Sequence, residues 1–328
     1  MDGKAERRLF LGLDTSAYTT AVALVDREER LIWEKRLLLP VKEGALGLRQ
    51  SEAVFAHLQN LPRLWAEGAA FLKNASLEAV AAATRPRPVE GSYMPVFKVS
   101  EAFGIFTAQT LGLKFLPSSH QEGHLIAGLW SAGLPPGRTL VAHLSGGTTE
   151  ILSVNESPPG TLAIRRLGGS ADLHAGQFVD RVGVALGLQF PAGPQLERLA
   201  QGEKSENITL PVAVKGAQIS FSGPESQARR LLAQGCPGAD LARAVERCIA
   251  DSLAEALSHA SRPGPYQAVL VVGGVAANNY IRERLRSALL LTRPDLKIFF
   301  AAAPFSADNA VGIAIQAARK MRSRAGCV

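Results

Sequence analysis

The chain has 328 residues, enough for about two domains at roughly 150 residues each. Apolar residues make up 47% and charged residues 20%, with 31 glycines and 19 prolines, which excludes disorder, coiled coil and collagen. Lys and Arg outnumber Asp and Glu by 36 to 29, and the net charge of +7 is compatible with a polyanion such as nucleic acid without establishing one. The N-terminus carries Asp2, Lys4, Glu6, Arg7 and Arg8, and its apolar stretch Leu9 to Leu13 is too short for a signal peptide. No apolar run reaches the roughly 18 residues of a membrane helix, so no membrane association is expected. Cys236, Cys248 and Cys327 lie far apart without a Cys-x-x-Cys pair. That argues against a cysteine metal site and fits a reducing, cytoplasmic setting.

Three strands open the pattern: Leu9 to Asp14, Ala21 to Asp26 and Leu31 to Leu39, with a small polar turn at Thr15 to Thr20 and a charged turn at Arg27 to Arg30. A helix is predicted over Ser51 to Leu72. A buried strand, Ala79 to Ala83, runs into Arg85-Pro86-Arg87-Pro88, which cannot be helical at its prolines. The same order then returns. Thr139 to Leu144, Glu150 to Val154 and Thr161 to Arg166 read as strands, with the turn Ser145-Gly146-Gly147-Thr148-Thr149 after the first. A repeat of this kind predicts two similar α/β lobes with mixed sheets.

The turns between the first two strands of each repeat are built from small residues. They leave backbone N–H groups unshielded and able to cradle phosphate. Gly273-Gly274, after the apolar strand Ala268 to Val272, is either a close-approach site or a tight turn needing positive φ.

His120-Gln121-Glu122-Gly123-His124 is the sharpest local signal. Histidines at i and i+4 share one helical face, where they either bind a metal together or are simply exposed. Glu122 sits two residues after His120, about 200° around the helix, so it points away from that face. Ser119 to Glu122 instead fits a capping box, which disfavours a zinc peptidase. Two imidazoles leave a metal under-coordinated, and a carboxylate from elsewhere would make a His-His-carboxylate set; Asp308, expected at the start of the last helix, is one candidate, with helix-dipole compensation as the alternative role. Asp172, Gln177 and Asp180 recur at helical spacing as a polar face.

In this order the motifs resemble the tRNA threonylcarbamoyladenosine transferase family, formerly described as an O-sialoglycoprotein endopeptidase. The resemblance covers about Leu9 to Arg319. It is carried by Asp14-Thr15-Ser16, His120 to His124, Ser145-Gly146-Gly147, Gly176 with Asp180, Pro191 to Pro194, Ser220 to Gly223, Gly273 to Asn278 and Asp308-Asn309. It implies duplicated RNase H-like lobes of the actin, sugar-kinase and heat-shock-protein ATPase superfamily. Residues 1–130 would form the first lobe, completed by about 305–328, and 131–304 the second, with the site between them. It also implies one divalent metal, iron in preference to zinc, on His120, His124 and Asp308. An adenine nucleotide, as threonylcarbamoyl-AMP, would contact Leu144, Ser145, Gly146, Gly147, Asp180, Gly193 and Asn278. The implied partners are tRNA and the other proteins of the threonylcarbamoylation complex, in the cytoplasm, and no catalytic side chain is assigned.

Several positions depart from the family pattern. The first turn, Ser16-Ala17-Tyr18-Thr19-Thr20, lacks two acidic residues, and Arg85 to Pro88 replaces a Gly-Pro-Gly loop. Thr148 stands for a histidine, Gln177 for a glutamate and Glu225 for a lysine. These changes raise the alternative of a non-catalytic paralogue that binds nucleotide and metal as a regulatory partner. Arg85 or Arg87 is expected to reach into the cleft toward an anion.

Overall fold

The computed structural model describes residues 7–41, 47–135, 137–202, 208–262, 264 and 266–325. The readings made on Asp2, Lys4, Glu6 and Cys327 lie outside these residues. In chain order the first part contains β1 (Arg7–Thr15), β2 (Thr19–Asp26), β3 (Leu31–Leu38), α1 (Gln50–Gly68), β4 (Ala75–Ala83), α2 (Phe97–Thr110), β5 (Lys114–Ser118) and α3 (His120–Ser131). The second contains β6 (Arg138–Leu144), β7 (Thr149–Glu156), β8 (Leu162–Ser170), α4 (Ala175–Ala185), α5 (Gly193–Ala200), β9 (Val214–Lys215), β10 (Gln218–Ile219), α6 (Ser222–Ala233), α7 (Gly238–Ser261), β11 (Ala268–Val272), α8 (Asn279–Thr292) and β12 (Lys297–Phe300). The short α9 (Ala303–Ser306) and the long α10 (Val311–Ala325) close the chain.

The strands form two sheets, β3-β2-β1-β4-β5 and β12-β11-β6-β7-β8-β10-β9. In both, three antiparallel strands continue into two parallel ones, so β8-β7-β6-β11-β12 repeats the order of the first sheet. The duplicated α/β architecture expected from the sequence is therefore present. The predicted helix over Ser51 to Leu72 is α1, which ends at Gly68 and tightens into a 3₁₀ turn over Ala69–Asn74. Among the described residues no helix is long and apolar enough to cross a membrane.

Alternation along β1 explains how its sheet is covered on both faces. Leu9, Leu11 and Leu13 pack with Leu61 and Leu64 of α1. Phe10 points the other way, into Val311, Ile313 and Ala314 of α10. The second sheet packs Leu140, Ala142 and Leu144 against α4, α5 and α7, and Val141, Leu152 and Val154 against Leu125 and Leu129 of α3.

Helix α3 is thus held between α10 and the second sheet, and its glycines permit the approach. A Cβ at Gly312 would lie 1.9 Å from the Gly123 carbonyl oxygen, and one at Gly128 would lie 2.4 Å from Val272 Cγ1. The helix that begins with both histidines therefore has little freedom to shift.

A buried ion cluster ties α10 to two turns. Arg319 donates to Glu156 at 2.7 Å and to Glu29 at 2.8 Å, and the Glu156 side chain is 0% exposed. Arg319→Ala leaves Glu156 without its charge partner, so a loss of about 3–5 kcal/mol is expected in denaturant melts at neutral pH. Burial acts to raise the pKa of Glu29, but the hydrogen bonds and charges of Arg319 and Arg322 outweigh it and hold the carboxyl below its ordinary value. A carboxyl depressed in the folded state adds stability that is present above its unfolded value and lost as pH falls through the folded one. Stability is accordingly expected to drop on acidification through and below the ordinary carboxylate range, with a weaker dependence in Arg319→Ala.

Candidate metal centre and glycine turn

Four segments converge at the centre of the molecule: the end of β1, the start of α3, the end of β6 and the bend before α10. Ser119 caps α3 by accepting from the Glu122 amide at 3.2 Å, and Glu122 Oε2 accepts in return from the Ser119 amide at 2.9 Å. The other Glu122 oxygen accepts from Gln316 Nε2 at 3.0 Å. Both carboxylate oxygens are committed to structure, as the capping box predicts, and neither serves the histidine face. The α3 amides of His120 and Gln121 donate to the Arg85 and Pro86 carbonyls, so the Arg-Pro segment fixes the start of the helix.

On the opposite face of α3, one ligand atom each from His120, His124 and Asp308 lies within 4.8 Å of the others. His124 Nε2 is 3.0 Å from Asp308 Oδ1, and His120 Nε2 is 3.5 Å from it. Asp308 stands three residues ahead of α10 rather than in its first turn, so the helix-dipole role does not apply. Its bend is set by Asn309, whose side-chain nitrogen donates to Ala307 and Phe305 carbonyls while its oxygen accepts from the Val311 amide. Ser16 Oγ donates to Asp308 Oδ2 at 2.5 Å, and Arg36 donates to the Asp308 carbonyl at 3.2 Å.

In the sequence Asp14 stands out only as part of Asp14-Thr15-Ser16. Its Oδ2 lies 2.7 Å from His120 Nδ1, which leaves Nε2 directed at Asp308. A carboxylate on the far nitrogen of a ligating imidazole fixes its tautomer and raises its basicity. Burial disfavours charge on His120, but Asp14 and Asp308 outweigh it and hold its pKa well above the usual value. Burial would raise Asp308, and His120 and His124 reverse that, holding it well below the usual carboxylate range. An ion bound here would compete with protons for these groups. Two imidazoles and a carboxylate with open positions are a chemically suitable donor set for a divalent transition metal.

The turn Ser145-Gly146-Gly147-Thr148 joins β6 to β7 and is closed by the Ser145 amide donating to Thr148 at 2.8 Å. A Cβ at Gly146 or Gly147 would meet nothing within 4 Å, so both glycines border open space. Helix α4 begins against this turn: the Gly176 amide donates to the Ser145 carbonyl at 3.3 Å, and a Cβ at Gly176 would lie 2.6 Å from Gly146 Cα. The first two α4 amides are thus committed, Ala175 to Thr149 Oγ1 at 2.7 Å and Gly176 to Ser145, which leaves the glycine backbone of the turn as the part that borders open space.

The other expected nucleotide residues belong to the second part of the chain. Leu144 is buried, and its carbonyl is approached by Gly273, which has φ of +100° and belongs to the tight turn after β11. Asp180 lies on α4 and accepts from the Ala192 amide at 2.8 Å, just before Gly193 opens α5. Burial raises the Asp180 pKa against that hydrogen bond. Asn278 caps α8 by accepting from Ile281 at 2.8 Å and donates to Glu246 at 2.6 Å, so its amide is held by the protein at both ends. Asp172 precedes α4, contrary to the expected helical face shared with Gln177 and Asp180. It accepts from Ser220 Oγ at 2.5 Å, from Ser222 Oγ and from the Phe221 amide, which holds the Ser220–Gly223 motif in place.

Further contacts join the halves of the molecule. Arg87 donates to Glu150 of β7 at 3.0 Å, beside Gln121 at 2.8 Å, so the anion that Arg87 reaches is a buried carboxylate of the chain itself. Tyr18, in the altered first turn, meets Phe190 edge-on at 5.8 Å. His143 on β6, which the sequence marks only as a strand residue, packs its ring 5.0 Å from that of His124.

The family model of tRNA N6-adenosine threonylcarbamoyltransferase matches residues 46–315. An enzyme of that name from Thermus thermophilus is 35% identical over 315 residues, covering 94% of this chain and 92% of its own. The one from Gluconobacter oxydans is 31% identical, covering 97% and 90%. Solved structures share the fold at low identity. The activator of 2-hydroxyisocaproyl-CoA dehydratase from Clostridium difficile has a TM-score of 0.56 at 14% identity, over 98% of both chains. The ROK family glucokinase from Streptomyces griseus has a TM-score of 0.52 at 15%, over 93% of this chain and 98% of its own. The fold is therefore that of the actin-like ATPases and sugar kinases, and the chain belongs to the tRNA N6-adenosine threonylcarbamoyltransferase family.

Proposed function

We propose that the chain transfers the threonylcarbamoyl group of threonylcarbamoyl-AMP to the exocyclic amine of the adenosine that follows the anticodon in tRNA. Family membership supports this reaction, and the observation that carries it to a site is the grouping of His120, His124 and Asp308 beside an open glycine turn. Residues 1–130 with about 305–328 form one lobe in this reading and 131–304 the other, with the substrates between them.

The donor is a mixed anhydride and already activated, so no protein nucleophile is needed. The amine nitrogen bonds to the carbamoyl carbon, the bond from that carbon to the phosphate oxygen breaks, and AMP leaves with the electron pair as the amine gives up a proton. Backbone N–H groups of Gly146 and Gly147 hold the AMP phosphate, in a loop that Ser145 shapes by closing its own amide on Thr148. Leu144, Asp180, Gly193 and Asn278 shape the remainder of the nucleotide site, Asn278 by fixing the start of α8. His120, His124 and Asp308 hold the ion, and Asp14 orients His120. The ion supplies Lewis-acid stabilisation of negative charge on phosphate or carbonyl oxygen. The donor set suits ferrous iron, which the family resemblance also favours over zinc. The partners are tRNA and the proteins of a threonylcarbamoylation complex, in the cytoplasm.

The test supplies threonylcarbamoyl-AMP, ferrous iron and unmodified tRNA, with and without the cognate complex proteins. Threonylcarbamoyladenosine in a nucleoside digest is the expected result. Its absence in both arms, with metal bound, would overturn the reading in favour of a non-catalytic partner.

A further inference from the structure

His143 lies at the end of β6 and is 3% exposed. Both of its ring nitrogens are buried without a hydrogen-bond partner, and no other histidine among the described residues has both nitrogens buried and unpaired. A neutral imidazole carries one donor and one acceptor, and burying both unmet is costly. Packing alone gives no reason for it. Along β6 the side chains alternate: Leu140, Ala142 and Leu144 enter one core, and Val141 faces α3 in another, where His143 follows it. An aliphatic side chain would suit that position better than an unpaired ring.

The surroundings identify what is missing. The His143 ring packs against His124 at 5.0 Å, and His124 packs against His120 at 4.6 Å, so three imidazoles form a row from β6 to the candidate ligands. Yet His143 is not part of the group whose ligand atoms lie within 4.8 Å of one another. A site with three protein ligands keeps open positions for water or substrate oxygen. We propose that His143 is a positioning residue of this metal centre, holding the oxygen ligand on the ion's open side by a hydrogen bond from one ring nitrogen. The inference rests on the metal reading given above, and it supplies the partner that the chain itself does not provide for His143.

Cobalt(II) titration of the full chain tests it, read by equilibrium affinity and by the ligand-field absorption of the bound ion. Wild type, His143→Leu, His143→Asn and, as a control, His120→Ala are compared. Loss of a supporting partner around a metal weakens affinity by about 10–100-fold. His143→Leu is therefore expected to bind cobalt at least about tenfold more weakly with an altered spectrum, and His143→Asn to recover part of both. The leucine also removes an unpaired polar ring, so the metal-free variant should melt no lower than metal-free wild type. Should that variant fail to fold, His143→Phe, which keeps a ring in place, takes its role. Wild-type affinity and spectrum in His143→Leu, with binding lost in His120→Ala, would overturn the role of His143 alone. No cobalt binding by the wild type would overturn the metal centre and this inference together.

Discussion

Asp308→Ala is expected to lower threonylcarbamoyl transfer to tRNA by a factor of about a hundred to a thousand, the size typical of losing a preorganised electrostatic stabiliser. Asp308 Oδ1 is the point at which both imidazoles meet, 3.0 Å from His124 and 3.5 Å from His120. Without it two imidazoles remain, too few to hold an ion firmly. The loss should be chemical rather than structural. The bend is held through main-chain groups, by Arg36 on the residue-308 carbonyl and by Asn309 on its neighbours, and neither needs the carboxylate. Metal content and single-turnover transfer, measured beside a thermal melt, separate the two outcomes. A variant that kept its metal and its rate would remove Asp308 from the site.

Gly312→Val should be the most damaging glycine substitution for the site. The added Cβ would sit 1.9 Å from the Gly123 carbonyl oxygen and 2.8 Å from the Ala127 amide nitrogen. Both are backbone atoms of a helix, so no rotamer change relieves the clash, and α10 must move away from α3. Overpacking of this kind costs about 3 kcal/mol or more when the neighbours cannot yield. The displacement also has a direction that matters: α3 carries His120 and His124, and α10 begins three residues after Asp308. The variant should lose metal affinity as well as stability, although residue 312 touches no ligand. Gly223→Ala is the matching control, because a Cβ there meets nothing within 4 Å. Equal melts for the two variants would refute the close-packing argument.

Particular residues show which features are readable in a sequence. The strand cores were legible because Leu9 to Leu13 and Val269 to Val272 are dense apolar runs with turn residues around them. The capping box was legible because Ser119 and Glu122 act within one helical turn. The end of α1 was not, since the 3₁₀ turn at Ala69–Asn74 depends on how the chain enters β4. Asp172 has the spacing of a helical residue, yet hydrogen bonds from Ser220, Ser222 and Phe221, about 50 positions away, hold it outside α4.

Local chemistry in the sequence determined the duplicated strand order, the small-residue turns, the histidine pair on one helical face and the inert role of Glu122. Each of these rests on interactions among residues a few positions apart. The tertiary structure decided what those pieces face. It set Asp308 against a histidine 184 positions earlier, Asp14 behind His120 across 106 positions, Arg87 on Glu150 and His143 beside His124. Periodicity says which side of a strand or helix a residue occupies. Only the packing of α3 between α10 and the second sheet, fixed by contacts at Gly123, Gly128 and Gly312, says which groups share that side.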